Sequence, residues 1–181
     1  MNQNIHSLDP EDFKQIKKIG EGGFGIVYIY QNKSDQIFAG KILKKEMKTE
    51  ESLFEREISI SNKINHIACA KFYGIMRKGE DIVSLTEYYE NGSLAKSSNS
   101  NDELTKDQIQ IVKLTPKQKK ICLTGISHGM MYLHDHNIMH RDLKSENILL
   151  DSNFYPKICD FGLSRCFSDP LTKSVDVYGT E

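Results

Sequence analysis

Between His140 and Asn147 the chain reads His-Arg-Asp-Leu-Lys-Ser-Glu-Asn, and thirteen residues after that Asn comes Asp160-Phe161-Gly162. An Asp, a Lys and an Asn thus share one short loop, with a second Asp beyond a hairpin-like stretch. These are the side chains that phosphoryl transfer uses. A carboxylate orients a hydroxyl and accepts its proton, a cation meets the moving phosphate, and amide and carboxylate oxygens hold magnesium. Ile148-Leu149-Leu150 and Pro156-Lys157-Ile158-Cys159 read as strands around the turn Asp151-Ser152-Asn153. Such a hairpin returns Asp160 to the end from which Asn147 departs.

Groups able to hold a phosphate chain stand far upstream. Gly20-Glu21-Gly22-Gly23-Phe24-Gly25-Ile26-Val27 is a GxGxxGxV run between two strand-like segments. Glycines let backbone N–H groups approach phosphates closely. A dinucleotide fingerprint would open a helix here, whereas the β-branched and aromatic run Ile26 to Tyr30 predicts a strand. An ordinary glycine-rich hairpin carries the same residues. Lys41 lies inside the apolar strand Ile37 to Leu43, where an outward alternate position is the simpler reading. Glu57 follows on a helix predicted from Thr49, with Thr49 as cap, Glu50 and Glu51 at the positive end, and Lys63 in the last turn. A helical Glu is exposed by default, but Glu57 stands beside Ile58 in the imperfect stripe Leu53, Phe54, Ile58, Ile64.

Composition narrows the classes. The 181 residues hold 24 Lys and Arg against 25 Asp and Glu, a net charge of −1, so no bulk attraction to nucleic acid or anionic membrane is expected. A chain of this length buries roughly 70% of its unfolded surface, enough for one domain or two small lobes. Cys69, Cys122, Cys159 and Cys166 show no CxxC spacing, and with no leader sequence or membrane-length apolar run a reduced, cytoplasmic protein is expected.

The remaining elements follow from local signals. Strands are predicted over Ala70 to Met76 and Ile82 to Glu87, around the turn Arg77 to Asp81. Lys96 to Gln108 is polar, and with the short run Ile109 to Leu114 it reads as an inserted loop with one helical turn. Thr115-Pro116-Lys117-Gln118 starts a helix running to about His134, with Cys122, Ile126, Met130 and Leu133 on its buried face and Gly125 and Gly129 allowing close packing. His134, His136 and His140 lack the further Cys or His that a metal centre needs.

Taken in order, the glycine loop, strand Lys, helix Glu, catalytic-type loop and Asp-Phe-Gly resemble the eukaryotic-type protein kinase domain over residues 13 to 180. The Lys at position 144, Ser145 to Leu149 and Leu163-Ser164-Arg165 resemble the tyrosine-kinase-like group of serine/threonine kinases. The resemblance implies an α+β bilobal fold: a tail over 1–12, a five-stranded antiparallel lobe with one helix over 13–87, and hinge plus a mainly helical, incomplete lobe over 88–181. It implies transfer of the ATP γ-phosphoryl group, with Mg2+, to a Ser or Thr hydroxyl of a protein, under an upstream kinase or regulatory partner. Asp142 would be the base, Lys144 the phosphate cation, Lys41 the α/β-phosphate ligand paired with Glu57, and Asn147 and Asp160 the magnesium ligands. Gly20, Gly22, Gly23, Gly25, Val27, Ala39, Thr86, Glu87, Tyr89 and Leu149 would complete the nucleotide site, with backbone groups of Glu87 to Tyr89 at the adenine edge. Arg141 would meet a phosphate on one of Ser168, Thr172, Ser174, Tyr178 or Thr180, and Cys159 would face the pocket or stay a buried structural thiol.

Two positions depart from the pattern. Ser145 replaces the more usual Pro, and Ser61 falls where a bulky apolar residue packs behind the Phe of Asp-Phe-Gly, which implies a less secure helix. The sequence given stops at Glu181, before the family's Ala-Pro-Glu. This implies a stable first lobe beside a poorly packed second one, with apolar surface exposed on the Pro116 to His134 helix and early cleavage after about Tyr88. The alternative function is a catalytically weak or inactive ATP-binding decoy.

Overall fold

Period-two alternation sets the architecture of the first lobe. The computed structural model describes residues 5–22, 25–43, 51–98 and 113–167. Strands β1 (Phe13–Gly22), β2 (Gly25–Asn32), β3 (Ile37–Leu43), β4 (Phe72–Lys78) and β5 (Asp81–Glu87) form one antiparallel sheet in the order β1-β2-β3-β5-β4. Because successive side chains point to opposite faces, Phe38 and Ile42 of β3 enter a core with Tyr30, Met76, Val83 and Leu85. Ala39 and Lys41 face the other way, level with Val27 and Ile29 on β2 and with Ser84 and Thr86 on β5. Helix α1 (Glu51–Ser61) packs through Phe54 and Ile58 against Phe72, Ile75 and Ile82.

Several boundaries differ from the sequence expectation, each for a visible reason. The α1 helix stops at Ser61, and a turn in which the Lys63 amide donates to Ile60 O puts Lys63 beyond the last helical turn. The Thr49 cap lies outside the described residues. The β4 strand starts at Phe72 rather than Ala70, because the Ala70 amide is taken by Ile158 O of the second lobe at 2.8 Å. Gln31 and Asn32 belong to β2, and the turn after them is held by Asn32 Oδ1, which accepts from Ser34 N and Gln36 N. Lys96 sits in a short helix, α2 (Leu94–Ser98), and most of the expected inserted loop lies outside the described residues.

The second lobe is organised on α3 (Pro116–Asp135), whose start carries the expected capping box between Thr115 and Gln118. Gly125 and Gly129 let this helix lie against the hairpin of β7 (Ile148–Leu150) and β8 (Pro156–Ile158): a Cβ on Gly125 would stand 2.5 Å from Pro156 Cγ, and one on Gly129 2.7 Å from Ile158 Cδ1. A second ribbon pairs β6 (Ile138–Met139) with β9 (Arg165–Cys166). The expectation that the apolar face of this helix, Cys122, Ile126, Met130 and Leu133, would lose its partners is corrected here, Ile126 and Met130 being packed against the core as well. Cys122 packs with Leu114 and Leu150, and Leu133 with Ile148, Ile158 and Phe161. Apolar exposure on this helix falls at Leu123 and Met131 instead.

The lobes are joined behind the hinge by hydrogen bonds to the main chain of the segment after α1. Ala68 O accepts from Ile158 N at 2.8 Å, Tyr132 Oη accepts from Asn65 N at 3.0 Å, and Lys157 Nζ donates to Ile67 O at 2.8 Å. The segment after α1 is therefore fixed to the second lobe.

Candidate active site

Strand β3 and helix α1 together make the first polar cluster. Lys41 Nζ stands 2.6 Å from Glu57 Oε2 and 3.7 Å from Asp160 Oδ1. The pair is mostly hidden, with 16% and 15% of the two side chains exposed. Burial works against the Lys41 charge, but Glu57 and Asp160 outweigh it, so its pKa is raised and the ammonium persists. Burial raises the Glu57 carboxyl, opposed by Lys41, and Asp160 adds to the rise. One cation between two carboxylates leaves the site short of positive charge, which suits a divalent ion.

The second cluster is the loop itself. Asn147 Nδ2 donates to Asp142 O at 2.8 Å and to Asp142 Oδ2 at 3.0 Å. With those hydrogens committed, Oδ1 is the atom of Asn147 that can ligate a cation. Lys144 Nζ reaches Asp142 Oδ2 at 2.9 Å, and that hydrogen bond raises the lysine pKa. His140 is buried beneath the loop, where its Nδ1 accepts from Asp142 N at 3.3 Å while Nε2 lies 2.9 Å from Cys159 O. That pattern fixes the tautomer with the proton on Nε2, and burial lowers the ring's pKa so that it stays neutral.

The hairpin joins the two clusters. Register Ile148 with Ile158 puts Cys159 N on Asn147 O at 3.0 Å, so Asp160 emerges beside Asn147. Arg141 and Asp160 both adopt left-handed backbone, φ 67° and 63°. Asp tolerates this region, whereas for Arg it marks a constrained loop.

Between the lobes lies a cavity of about 330 Å³. Gly25, Val27 and Ala39 form its roof, Leu149 its floor, and Lys41, Glu57, Asn147 and Asp160 its polar end. Thr86 lines it with Oγ1 donating to Ala39 O at 3.4 Å. Gly25 is the roof residue whose glycine is required: φ is +123° and a Cβ would meet Ile42 O at 2.4 Å. At Gly20 a Cβ would make only ordinary contact with Val27.

Other expected residues stand outside this lining. Gly20 and Gly22 belong to β1 just before the loop, and Gly23 lies outside the described residues. Glu87 and Tyr89 occupy the hinge but turn their side chains to each other, Tyr89 Oη donating to Glu87 Oε2 at 3.1 Å, and the Glu87 amide is used by Lys71 O. Asp142 and Lys144 do not line the cavity; Asp142 is bonded to Asn147, which does, and Lys144 pairs with Asp142. The five activation-loop acceptors, Ser168, Thr172, Ser174, Tyr178 and Thr180, also fall outside the described residues.

The cavity adds Glu21, Ala70 and Ser84 to the expected set. Ser84 was legible, being two residues before Thr86 on one strand face; Ala70 was not. Cys159 lines the cavity with its thiol pushed up by burial and pointing at Asn147 O, 3.4 Å away. Ser61 and Phe161 line it as well, and Phe161 also belongs to the core with Ile60, Ile64 and Leu133, so the hydroxyl does not leave the ring without neighbours.

The donor chemistry fits a magnesium-bound nucleotide. Asn147 and Asp160 supply hard oxygens, and no group of three His, Cys, Asp or Glu among the described residues forms a cage of its own. A magnesium ion here would draw its other ligands from phosphate and water.

The family model described as "Protein kinase domain" matches residues 13–181. Among curated relatives from Arabidopsis thaliana, the chain is 35% identical to Cysteine-rich receptor-like protein kinase 6, covering 93% of this chain and 25% of that protein. It is 36% identical to a probable leucine-rich repeat receptor-like serine/threonine-protein kinase, covering 94% of this chain and 16% of the relative. It is also 36% identical to Cold-responsive protein kinase 1, covering 94% and 44%. The chain thus spans a quarter or less of the first two relatives and under half of the third.

Proposed function

The chain belongs to the protein kinase domain family, and on that premise we propose that its cleft transfers the γ-phosphoryl group of ATP to a serine or threonine hydroxyl of a protein. The observation that carries this reading is the meeting of Lys41, Glu57 and Asp160 with Asn147 at one end of the cleft, where Asn147 is bonded to Asp142 and Asp142 pairs with Lys144. The serine/threonine direction is supported by Lys144 and by the names of the relatives.

In this reading Lys41 holds the α and β phosphates and Glu57 keeps its ammonium aimed into the cleft. Gly25 lets the roof backbone close over the phosphate chain. Asn147 and Asp160 hold Mg2+, which when bound neutralises charge on the phosphates. Asp142 accepts the proton from the acceptor hydroxyl, and Asn147 fixes the carboxylate that does so. Lys144, beside Asp142, offsets negative charge on the phosphoryl group in transit. Backbone groups of Glu87 to Tyr89 meet adenine, the Glu87 amide being already taken by Lys71 O.

A reducing, intracellular setting suits four cysteines that form no disulfide. No helix among the described residues is long and apolar enough to cross a membrane.

Transfer from Mg-ATP to a mixture of Ser/Thr-containing and Tyr-containing peptides tests the proposal. Phosphate on Ser or Thr, absent in Asp142→Asn, is the expected result. Binding of Mg-ADP without any transfer by the wild type would leave the decoy reading in its place.

A further inference from the structure

Residues 5–12 precede the matched domain and read from the sequence as a tail, yet each of the seven from His6 to Asp12 takes part in a specific contact. Ser7 bridges Ile75 in parallel. Leu8 N donates to Ile75 O at 2.7 Å, and Ile75 N donates to His6 O at 2.9 Å. These bonds add the segment to the outer edge of β4, the last strand of the sheet. Leu8 lays its side chain on the core formed by Tyr30, Phe38 and Met76. Asp9 then caps the short 3-10 turn Pro10–Asp12, accepting from Glu11 N, and Asp12 pairs with Lys33 at 2.6 Å.

The contact has a sequence requirement on its far side. Gly74 has φ +147°, and a Cβ there would stand 2.4 Å from His6 O and 3.3 Å from His6 Cβ. Only glycine lets the two backbones come this close.

Ile75 connects this edge to the active site. Its main chain is held by His6 and Leu8, while its side chain packs against Phe54 and Ile58 of α1. Glu57 lies between those two residues and holds Lys41. A chain of direct contacts therefore runs from the segment through Ile75 to α1 and the Lys41–Glu57 pair.

We propose that residues 6–8 are a strap whose docking on β4 positions α1, so that the segment entering the domain sets how firmly Glu57 holds Lys41. The strap is a positioning element that touches no substrate. Its consequence for nucleotide binding rests on the function proposed above. Two hydrogen bonds and one leucine hold it, so local opening costs far less than unfolding. Any event that draws residues 6–8 away loosens the ion pair.

Hydrogen exchange of the full chain, read at the Ile75 amide and across residues 54–61, tests this together with Mg-ADP affinity. Leu8→Ala and Gly74→Ala are compared with Leu8→Met, which keeps the side-chain volume. In both alanine variants exchange at Ile75 is expected to rise roughly tenfold, with faster exchange in α1. The Mg-ADP dissociation constant is expected to rise about fivefold. Leu8→Met is expected to restore wild-type behaviour. If Ile75 loses protection while residues 54–61 and Mg-ADP affinity stay at wild-type values, the strap does not position α1 and the proposal is wrong. Failure of the wild type to bind Mg-ADP would instead overturn the nucleotide-site reading, and exchange in α1 would then decide the strap alone. Should Gly74→Ala fail to fold, Leu8→Ala gives the same two readouts.

Discussion

The two polar clusters that flank the cleft are built on opposite plans. Lys41 and Glu57 are sixteen residues apart and meet only because a strand face and a helix dock, in a place where both charges are largely hidden. Asp142, Lys144 and Asn147 lie within five residues, are bonded through their own loop, and leave Lys144 largely in solvent. Removing a partner from the first cluster strands a buried charge and acts on folding as well as chemistry. In the second only Lys144 is open to solvent, at 41% against 9% for Asp142, so removing Lys144 acts mainly on chemistry.

Asp142→Asn gives the sharpest form of that contrast. Transfer is expected to fall by about 10²–10⁴ while stability falls by only about 1 kcal/mol, because the isosteric amide keeps an oxygen that accepts from Asn147 Nδ2. A rate and an unfolding curve on the same preparation check it, and an equal loss in both would erase the distinction between the clusters.

Lys41→Met should cost about 3 kcal/mol of stability and remove stabilisation by Mg-ADP. The penalty comes from Glu57, left buried without its cation. Replacing both partners, Lys41→Met with Glu57→Leu, should therefore recover much of the stability and none of the nucleotide binding. Urea titrations of the two singles and the double give the coupling directly.

Gly25→Ala introduces a Cβ against Ile42 O on a positive-φ backbone, at an expected cost of about 1–3 kcal/mol. Gly20→Ala, which meets open space apart from Val27, should cost less. Comparable melting temperatures for the two variants would mean that the roof yields more easily than its geometry implies.

The smallest expected effect is the pH dependence from beneath the loop. Burial holds the pKa of His140 below its ordinary 6.5. As pH falls, the unfolded chain takes up the proton first, so the stability this ring supports is complete above about pH 6.5 and is lost as pH falls through its folded value. His66 is shifted in the same direction, by burial and then by His128 and His136. Unfolding free energy should thus decline between pH 7.5 and 5.5, with a shallower slope in His140→Gln. An unchanged slope would place the titration elsewhere, with His66 the next ring to replace.

The loop cluster and the β7/β8 hairpin were legible because their information is local. A turn at Asp151 to Asn153 and strands of matched length force Asn147 and Asp160 to one end, and the α3 capping box follows from Thr115 and Gln118 alone. The start of β4 was misread, because Ala70 continues an apolar run whose backbone is claimed by Ile158 from the other lobe. The strap was missed for a similar reason. His6, Ser7 and Leu8 carry no periodicity, and the glycine that admits them stands far along the chain at Gly74.

By itself, then, the sequence determined which chemistry is present and which elements carry it, since alternation, caps and turn residues act over a few positions. Tertiary structure alone decided that Lys41 points to Glu57 rather than to solvent, and that Gly25 rather than Gly20 cannot bear a side chain. It also decided that Gly74 faces a backbone from before β1. Each depends on packing between segments that share no local signal, and there the energetics turn on distances of a few tenths of an ångström between atoms remote in the chain.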